Sequence, residues 1–154
     1  MGTPVLGNMT KVGVGAGKAA TTFEDICIFG GETLVDFGVY GTNKEYCLSQ
    51  EEAFVALGDL EFGSQTYTYL WSEGSGDAAN VIVKAAHDAS DLVGKAISIQ
   101  TEANNSSDGT KAGTTYTANF IVTGYKHLFK KGEINKTEFT VEQTSVPVEV
   151  IAEV

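Results

Sequence analysis

Arginine is missing from this chain of 154 residues, and its ten basic side chains, all lysine, face twenty acidic ones for a formal net charge of −10. Proteins that grip DNA or RNA use a basic face and rely on guanidinium groups for bidentate phosphate and guanine contacts, so this balance argues against specific nucleic-acid binding. Proline occurs twice and cysteine twice, as Cys27 and Cys47. Two cysteines permit one bridge but form no C-x-x-C or zinc arrangement, and in a reducing cytoplasm both are expected as free, mostly buried thiols. No apolar run approaches a membrane span, and the first residues, MGTPVLGNMTK, lack the apolar core of an export signal. Leu6 stands where a myristoylation signal wants Ser or Thr. Without an export signal the N-x-S/T triplets at Asn8, Asn104, Asn105 and Asn135 carry no weight.

Glycine, by contrast, is abundant, and it crowds the stretch KVGVGAGKAATTF from Lys11 to Phe23. A phosphate-cradling loop needs Gly, four residues, then Gly-Lys-Ser/Thr. Val12 occupies the first glycine position, and Ala19 occupies the hydroxyl position. The dinucleotide pattern fails as well, because Lys18 stands where its last glycine belongs. The stretch therefore reads as part of a flexible N-terminal arm, residues 1–20, ahead of one β domain over 21–154.

The rest has the texture of an antiparallel β protein: short apolar runs, many threonines and recurring turn residues. FEDICIFGGETLVDF reads as a hairpin, with Ile26, Ile28 and Phe29 outbound, Gly30-Gly31 at the turn, and Leu34, Val35 and Phe37 returning. Val39–Leu57 reads as a long connection with weak periodicity. It is too apolar to be left in water, so Tyr40, Tyr46, Leu48, Phe54 and Val55 are candidates for contact with a neighbouring subunit. LEFGSQTYTYLW alternates, with Tyr67, Tyr69 and Trp71 on one face. A helix follows, capped by Ser75 or Asp77, with Ala78, Val81, Ile82, Ala85 and Ala89 as its apolar stripe. Three further strands are predicted: one with Ile97 and Ile99 inward, one with Tyr116, Ala118, Phe120 and Val122 on one face, and one with Phe139 and Val141 on one face. Pro147 ends the ladder or puts the C-terminal stretch at an edge.

No catalytic constellation emerges. Ser75 lies between Gly74 and Gly76, which is the wrong spacing for a nucleophile elbow. His87 and His127 have no ligand partner at helical or hairpin spacing. Glu51, Glu52, Asp59 and Glu61 read as solvated loop acids, and NNSSDG lacks the spaced acids of a calcium loop. The aromatic run TYTYLW suits either a half-buried strand or a stacking platform for sugars or bases. The expectation is a protein that is no enzyme and carries no cofactor or metal.

The order of elements resembles the major tail tube proteins of long-tailed bacteriophages with non-contractile tails, to which type VI secretion tube proteins are similar. The echoes are Gly58-Asp59 leading into the aromatic strand, Asp77-Ala78-Ala79 opening the helix, and Gly132-Glu133 leading into the last long strand, over roughly Thr21 to Val150. The resemblance implies a mainly β fold: an antiparallel β-sandwich or partial barrel flanked by one helix, with a long loop and an extended N-terminal arm. It implies hexameric rings stacked into a tube that passes the genome, located in the virion tail and assembled in the host cytoplasm. The implied partners are further copies of the chain and the tape-measure, tail-tip and tail-terminator proteins, with DNA passing unbound and no membrane contact. On that reading Glu61, Glu102, Glu138 and Glu142, on polar strand faces, are candidates for an acidic lumen. Two other classes stay open: another virion subunit, such as a head-decoration or tail-terminator protein, and a β-sandwich module binding carbohydrate or peptide through Tyr67, Tyr69 and Trp71.

Overall fold

Alternation of apolar and polar residues along six strands puts one set of side chains on a common inner face. The computed structural model describes residues 10–29, 33–46, 53–71, 78–103 and 113–151, with backbone only at 43–46 and 53–56. The elements in chain order are β1 (Thr10–Ala16), β2 (Glu24–Ile26), β3 (Val39–Tyr46), β4 (Ala53–Glu61), β5 (Ser64–Leu70), α1 (Ala78–Asp88), β6 (Ala96–Ala103), β7 (Thr114–Leu128), β8 (Lys136–Gln143) and β9 (Val148–Val150). Seven strands form one antiparallel sheet in the order β2-β1-β6-β7-β8-β5, with β9 also on β7, while β3 and β4 form a separate two-stranded sheet.

The registers align the inner residues across the whole sheet. Val14 faces Ile99, Ile99 faces Ala118, Val122 faces Val141, and Phe139 faces Tyr67. All of these are buried, and Val14, Val122, Phe139 and Val141 are fully so. The Phe139 ring stacks on Tyr67 at 5.3 Å and meets Tyr69 edge-on at 5.7 Å. The Tyr69 hydroxyl reaches the Asn80 side chain on the helix, so the ring's polar tip is satisfied inside the core.

The sheet curls into a half-barrel. Just after β2 the chain meets the opposite edge: Ile28 bridges Tyr69, Phe29 N–H donates to Thr68 O at 2.8 Å, and Leu70 N–H donates to Cys27 O at 3.1 Å. A register shift between Val122 and Gly124 bends the long strand β7. Helix α1 covers the apolar face, burying Ala79, Val83 and Ala86 with Ile82 beside them, and packs on β7, β1, β2 and β6. Lys95 Nζ donates to the His87 carbonyl at 2.6 Å, satisfying an orphan acceptor at the helix end.

Three local expectations are corrected. The buried stripe of α1 is rotated by one position from the predicted one: Val81 and Ala85 are exposed, and Val81 retains 56% exposure. The predicted caps, Ser75 and Asp77, lie outside the described residues. Residues 33–38 form no strand, so the predicted return of the first hairpin is absent; its turn at Gly30-Gly31 is outside the described residues. Residues 39–57 are not a loop: most of them pair as the β3–β4 hairpin.

The largest correction concerns the arm. Thr10–Ala16 is an interior strand paired on both sides, and Val12 and Val14 belong to the core. Gly13 and Gly15 point to the other face, where the returning chain lies directly on the backbone. A Cβ on Gly15 would stand 2.5 Å from Ala20 Cβ, and one on Gly13 would stand 2.9 Å from Phe23 Cβ. The returning chain is held down by Ser98 and Asn119. Ser98 Oγ donates to Gly17 O at 2.8 Å and accepts from Ala20 N–H at 3.1 Å, and Ala19 N–H donates to Asn119 Oδ1 at 3.0 Å. These glycines answer to close packing, not to flexibility. Residues 1–9 of the expected arm lie outside the described residues.

Candidate assembly surfaces

The opposite face of the large sheet is polar because the alternate positions carry hydroxyl, amide and charged side chains. Over β7, β8 and β5 it includes Thr117, Asn119, Glu138, Thr140, Glu142, Ser64 and Thr66, none of them buried. Thr66 and Thr140 face each other with their hydroxyls 3.2 Å apart. Among the described residues this face is covered toward β1 and β6, by the returning residues 17–23 described above.

The four acids proposed from sequence do not share one surface. Register places Glu102, Glu138 and Glu142 on the polar face of the large sheet. Glu61 ends β4 in the other sheet, opposite Val39. Glu138 is also compensated, since Lys126 Nζ lies 3.2 Å from its carboxylate. Among the described residues the polar face carries Asp25, Glu102, Glu138 and Glu142 against Lys11, Lys126 and Lys136. It is therefore hydroxyl-rich and close to neutral, and most of the chain's ten-charge acid excess lies elsewhere.

Four of the five residues proposed for subunit contact fall on the β3–β4 ladder. Tyr40 is exposed at 54% and faces Leu60 across the ladder. Tyr46 pairs with Ala53, Phe54 with Glu45 and Val55 with Lys44 in the same ladder. Leu48 lies outside the described residues. Val39 and Leu57 add further exposed apolar surface at 72% and 69%. Register and exposure thus put Val39, Tyr40 and Leu57 on one projecting element, because β3 and β4 pack chiefly on each other.

The aromatic platform is excluded. Tyr67 and Tyr69 are 4% and 1% exposed and serve the core, so TYTYLW offers no open stacking surface. Burial raises the Tyr67 pKa, with the Thr33 hydroxyl acting weakly the other way. Trp71 joins a separate aromatic group at the far end of the sheet, 5.2 Å from Phe129 and 6.3 Å from His127. His127 stacks on Phe129 at 5.7 Å and holds the Thr137 hydroxyl at 3.0 Å; His87 lies 6.1 Å from Tyr125. Both histidines are thus occupied by packing, and no group of three metal-ligating side chains occurs among the described residues. Cys27 is a free thiol but exposed, not buried as expected, because it lies in the short segment after β2 outside the core; Cys47 is outside the described residues.

No protein-family model and no curated protein matches the chain. Solved structures do. The fold is similar to a chain in the anti-feeding prophage baseplate, at TM-score 0.67 and 9% identity over 100% of both chains. It is similar to a chain of the sheath–tube complex of an extracellular contractile injection system, at TM-score 0.62 and 16% identity, covering 96% of this chain and 92% of that one. The SPP1 tail tube gives TM-score 0.60 and 13% identity, covering 96% of this chain and 81% of that one. At these identities the likeness is one of fold.

Proposed function

We propose that this chain is the structural subunit of a tube. Copies close into a ring of six, the polar face of each sheet lines a channel, and rings stack. In the narrower form read from sequence the tube is that of a non-contractile phage tail, passing the genome to the host. Its other contacts are then the tape-measure, tail-tip and tail-terminator proteins, and it resides in the virion after assembly in the host cytoplasm. The observation that carries the reading is the two-sidedness of the sheet. Its apolar face is buried, with α1 packed on β7, β1, β2 and β6, while among the described residues its polar face over β7, β8 and β5 is not buried and is rich in hydroxyl groups. A sheet with one face buried and one wetted suits a channel wall. The fold likeness to a tail tube and to chains of contractile injection systems supports the same architecture.

A near-neutral threonine-rich wall lets DNA slide with few phosphate contacts, and each lysine added to it releases counterions and holds the strand. A second reading is a cap or terminator that closes the end of a tube, supported by fold likeness to the tube-terminating cap of the anti-feeding prophage at TM-score 0.63 and 14% identity. Sedimentation velocity with negative-stain microscopy over rising concentration separates the readings. Stacked rings or tubes are expected. Rings that never stack favour the cap, and monomer alone at millimolar concentration with tail-initiation components present contradicts both.

A further inference from the structure

The β3–β4 hairpin stands apart from the large sheet, so something must set its direction. Asp36 sits at its root. Gly38 N–H, just before β3, donates to Asp36 Oδ1 at 2.8 Å; Gly63 N–H, just after β4, donates to Asp36 Oδ2 at 3.0 Å. One carboxylate therefore ties both feet of the hairpin, with one oxygen on each. Asp36 is itself held. Its carbonyl accepts from Gln143 Nε2 at 2.7 Å, and the same amide donates to Ser145 O at 2.8 Å. Gln143 Oε1 accepts from Gln65 Nε2 at 3.3 Å, and Gln65 Oε1 accepts the Tyr67 hydroxyl at 2.6 Å.

A continuous chain of hydrogen bonds thus runs from the core through two buried glutamines to the hairpin feet. Gln65 and Gln143 are each 7% exposed, and the crevice beside them, lined by Asp36, Tyr67, Tyr116 and Gln143 among others, holds about 10 Å³, room for a single water. Buried amides so enclosed have few alternative partners, and this makes the network directional. Above the root the ladder is looser: register shifts between Tyr40 and Thr42, and Gly41 lies against Gly58 with no side chain between them.

We infer that Asp36 is the positioning residue of the hairpin: it fixes the angle at which this arm leaves the sheet, and so the direction in which the arm meets a second copy of the chain. The second half rests on the proposed tube. Three variants test it. Asp36→Ala removes both acceptors, and Asp36→Asn retains one acceptor oxygen. Gly38→Ala leaves Asp36 intact but strains the foot, because Gly38 has φ +86° and its Cβ would stand 2.7 Å from Leu60 and 2.9 Å from Phe62.

In the wild-type monomer the Gly38 and Gly63 amides, each bonded to Asp36, should be protected from hydrogen exchange. Asp36→Ala should speed both by about 10- to 100-fold, as loss of charge-assisted bonds implies. Asp36→Asn should fall between, and core amides on β8 should not change. Assembly monitored by light scattering should slow several-fold for Asp36→Ala and Gly38→Ala, with partial rescue in Asp36→Asn. Unchanged exchange at Gly38 and Gly63 in Asp36→Ala overturns the inference, as does freed exchange with an unaltered assembly rate. A wild-type chain that never assembles removes the proposed tube and the assembly half of the inference, while the exchange contrast still decides whether Asp36 holds the hairpin.

Discussion

Gly15→Ala adds one methyl group to β1, in ordinary strand conformation, where an alanine normally gains about 0.5–1 kcal/mol over glycine by restricting the unfolded chain. The structure predicts the reverse. The new Cβ would stand 2.5 Å from Ala20 Cβ, 3.0 Å from Phe23 Cε1 and 3.0 Å from Thr22 O, and two of these are backbone or near-backbone atoms with little room to yield. Overpacking of this kind costs about 1–3 kcal/mol. The alternative, lifting residues 17–23, breaks the three hydrogen bonds to Ser98 and Asn119 at about 1 kcal/mol each. Either route leaves a net loss of about 1–2 kcal/mol, or about 2–8 °C in Tm for a chain of this size. Gly124→Ala is the control, since its Cβ would meet nothing closer than 3.5 Å and its stability should stay within about 0.5 kcal/mol of wild type. Urea unfolding of both variants, with hydrogen exchange at Ala19 and Ala20, reads the difference. If Gly15→Ala matches Gly124→Ala and the two amides stay protected, the close packing of the returning segment on β1 is wrong.

Phe139→Ala removes a fully buried ring stacked between two tyrosines and should cost about 3–5 kcal/mol by urea unfolding; a loss under 1 kcal/mol would contradict the core described. Tyr67 supplies a pH dependence. Its folded pKa lies above the ordinary value of 10.0, so the unfolded chain ionises first and stability should fall as pH rises through and beyond 10; Tyr67→Phe should flatten that slope, and an unchanged slope would count against burial as its cause. Lysines placed together at Thr66, Thr140 and Glu142 should slow DNA ejection from particles in a salt-dependent way while rings still form. Ejection at the wild-type rate would leave the low-friction wall without support.

How far the fold could be read in advance depended on whether local pattern and tertiary role agreed. Strands β5, β6, β7 and β8 were legible because Tyr67 and Tyr69, Ile97 and Ile99, Phe120 and Val122, and Phe139 and Val141 alternate with polar neighbours, and this periodicity survives in the burial. Strand β1 was missed because its alternation is valine with glycine, which resembles flexibility until the segment that lies on the glycines is seen. The stripe of α1 shifted because an alanine-rich helix offers several apolar faces, and only the packing of Val83 and Ala86 on the sheet selects one. The β3–β4 hairpin escaped notice because each strand is mixed in character and pairs with the other in a sheet of its own. The residues proposed for subunit contact were chosen only by their apolarity in a segment with no core periodicity. Asp36, Gln65 and Gln143 left no sequence signal, since their significance is a chain of hydrogen bonds joining residues up to 107 positions apart.

The central claim is that the open polar face of the seven-stranded sheet lines a channel. A cryo-EM map of the particles formed by the purified chain tests this most directly. The expected map shows a ring with sixfold symmetry, β7, β8 and β5 against the lumen with Glu138, Thr140 and Glu142 exposed to it, and α1 on the outer wall. A map with α1 facing the axis, or with the polar face buried between subunits and no central channel, would contradict it.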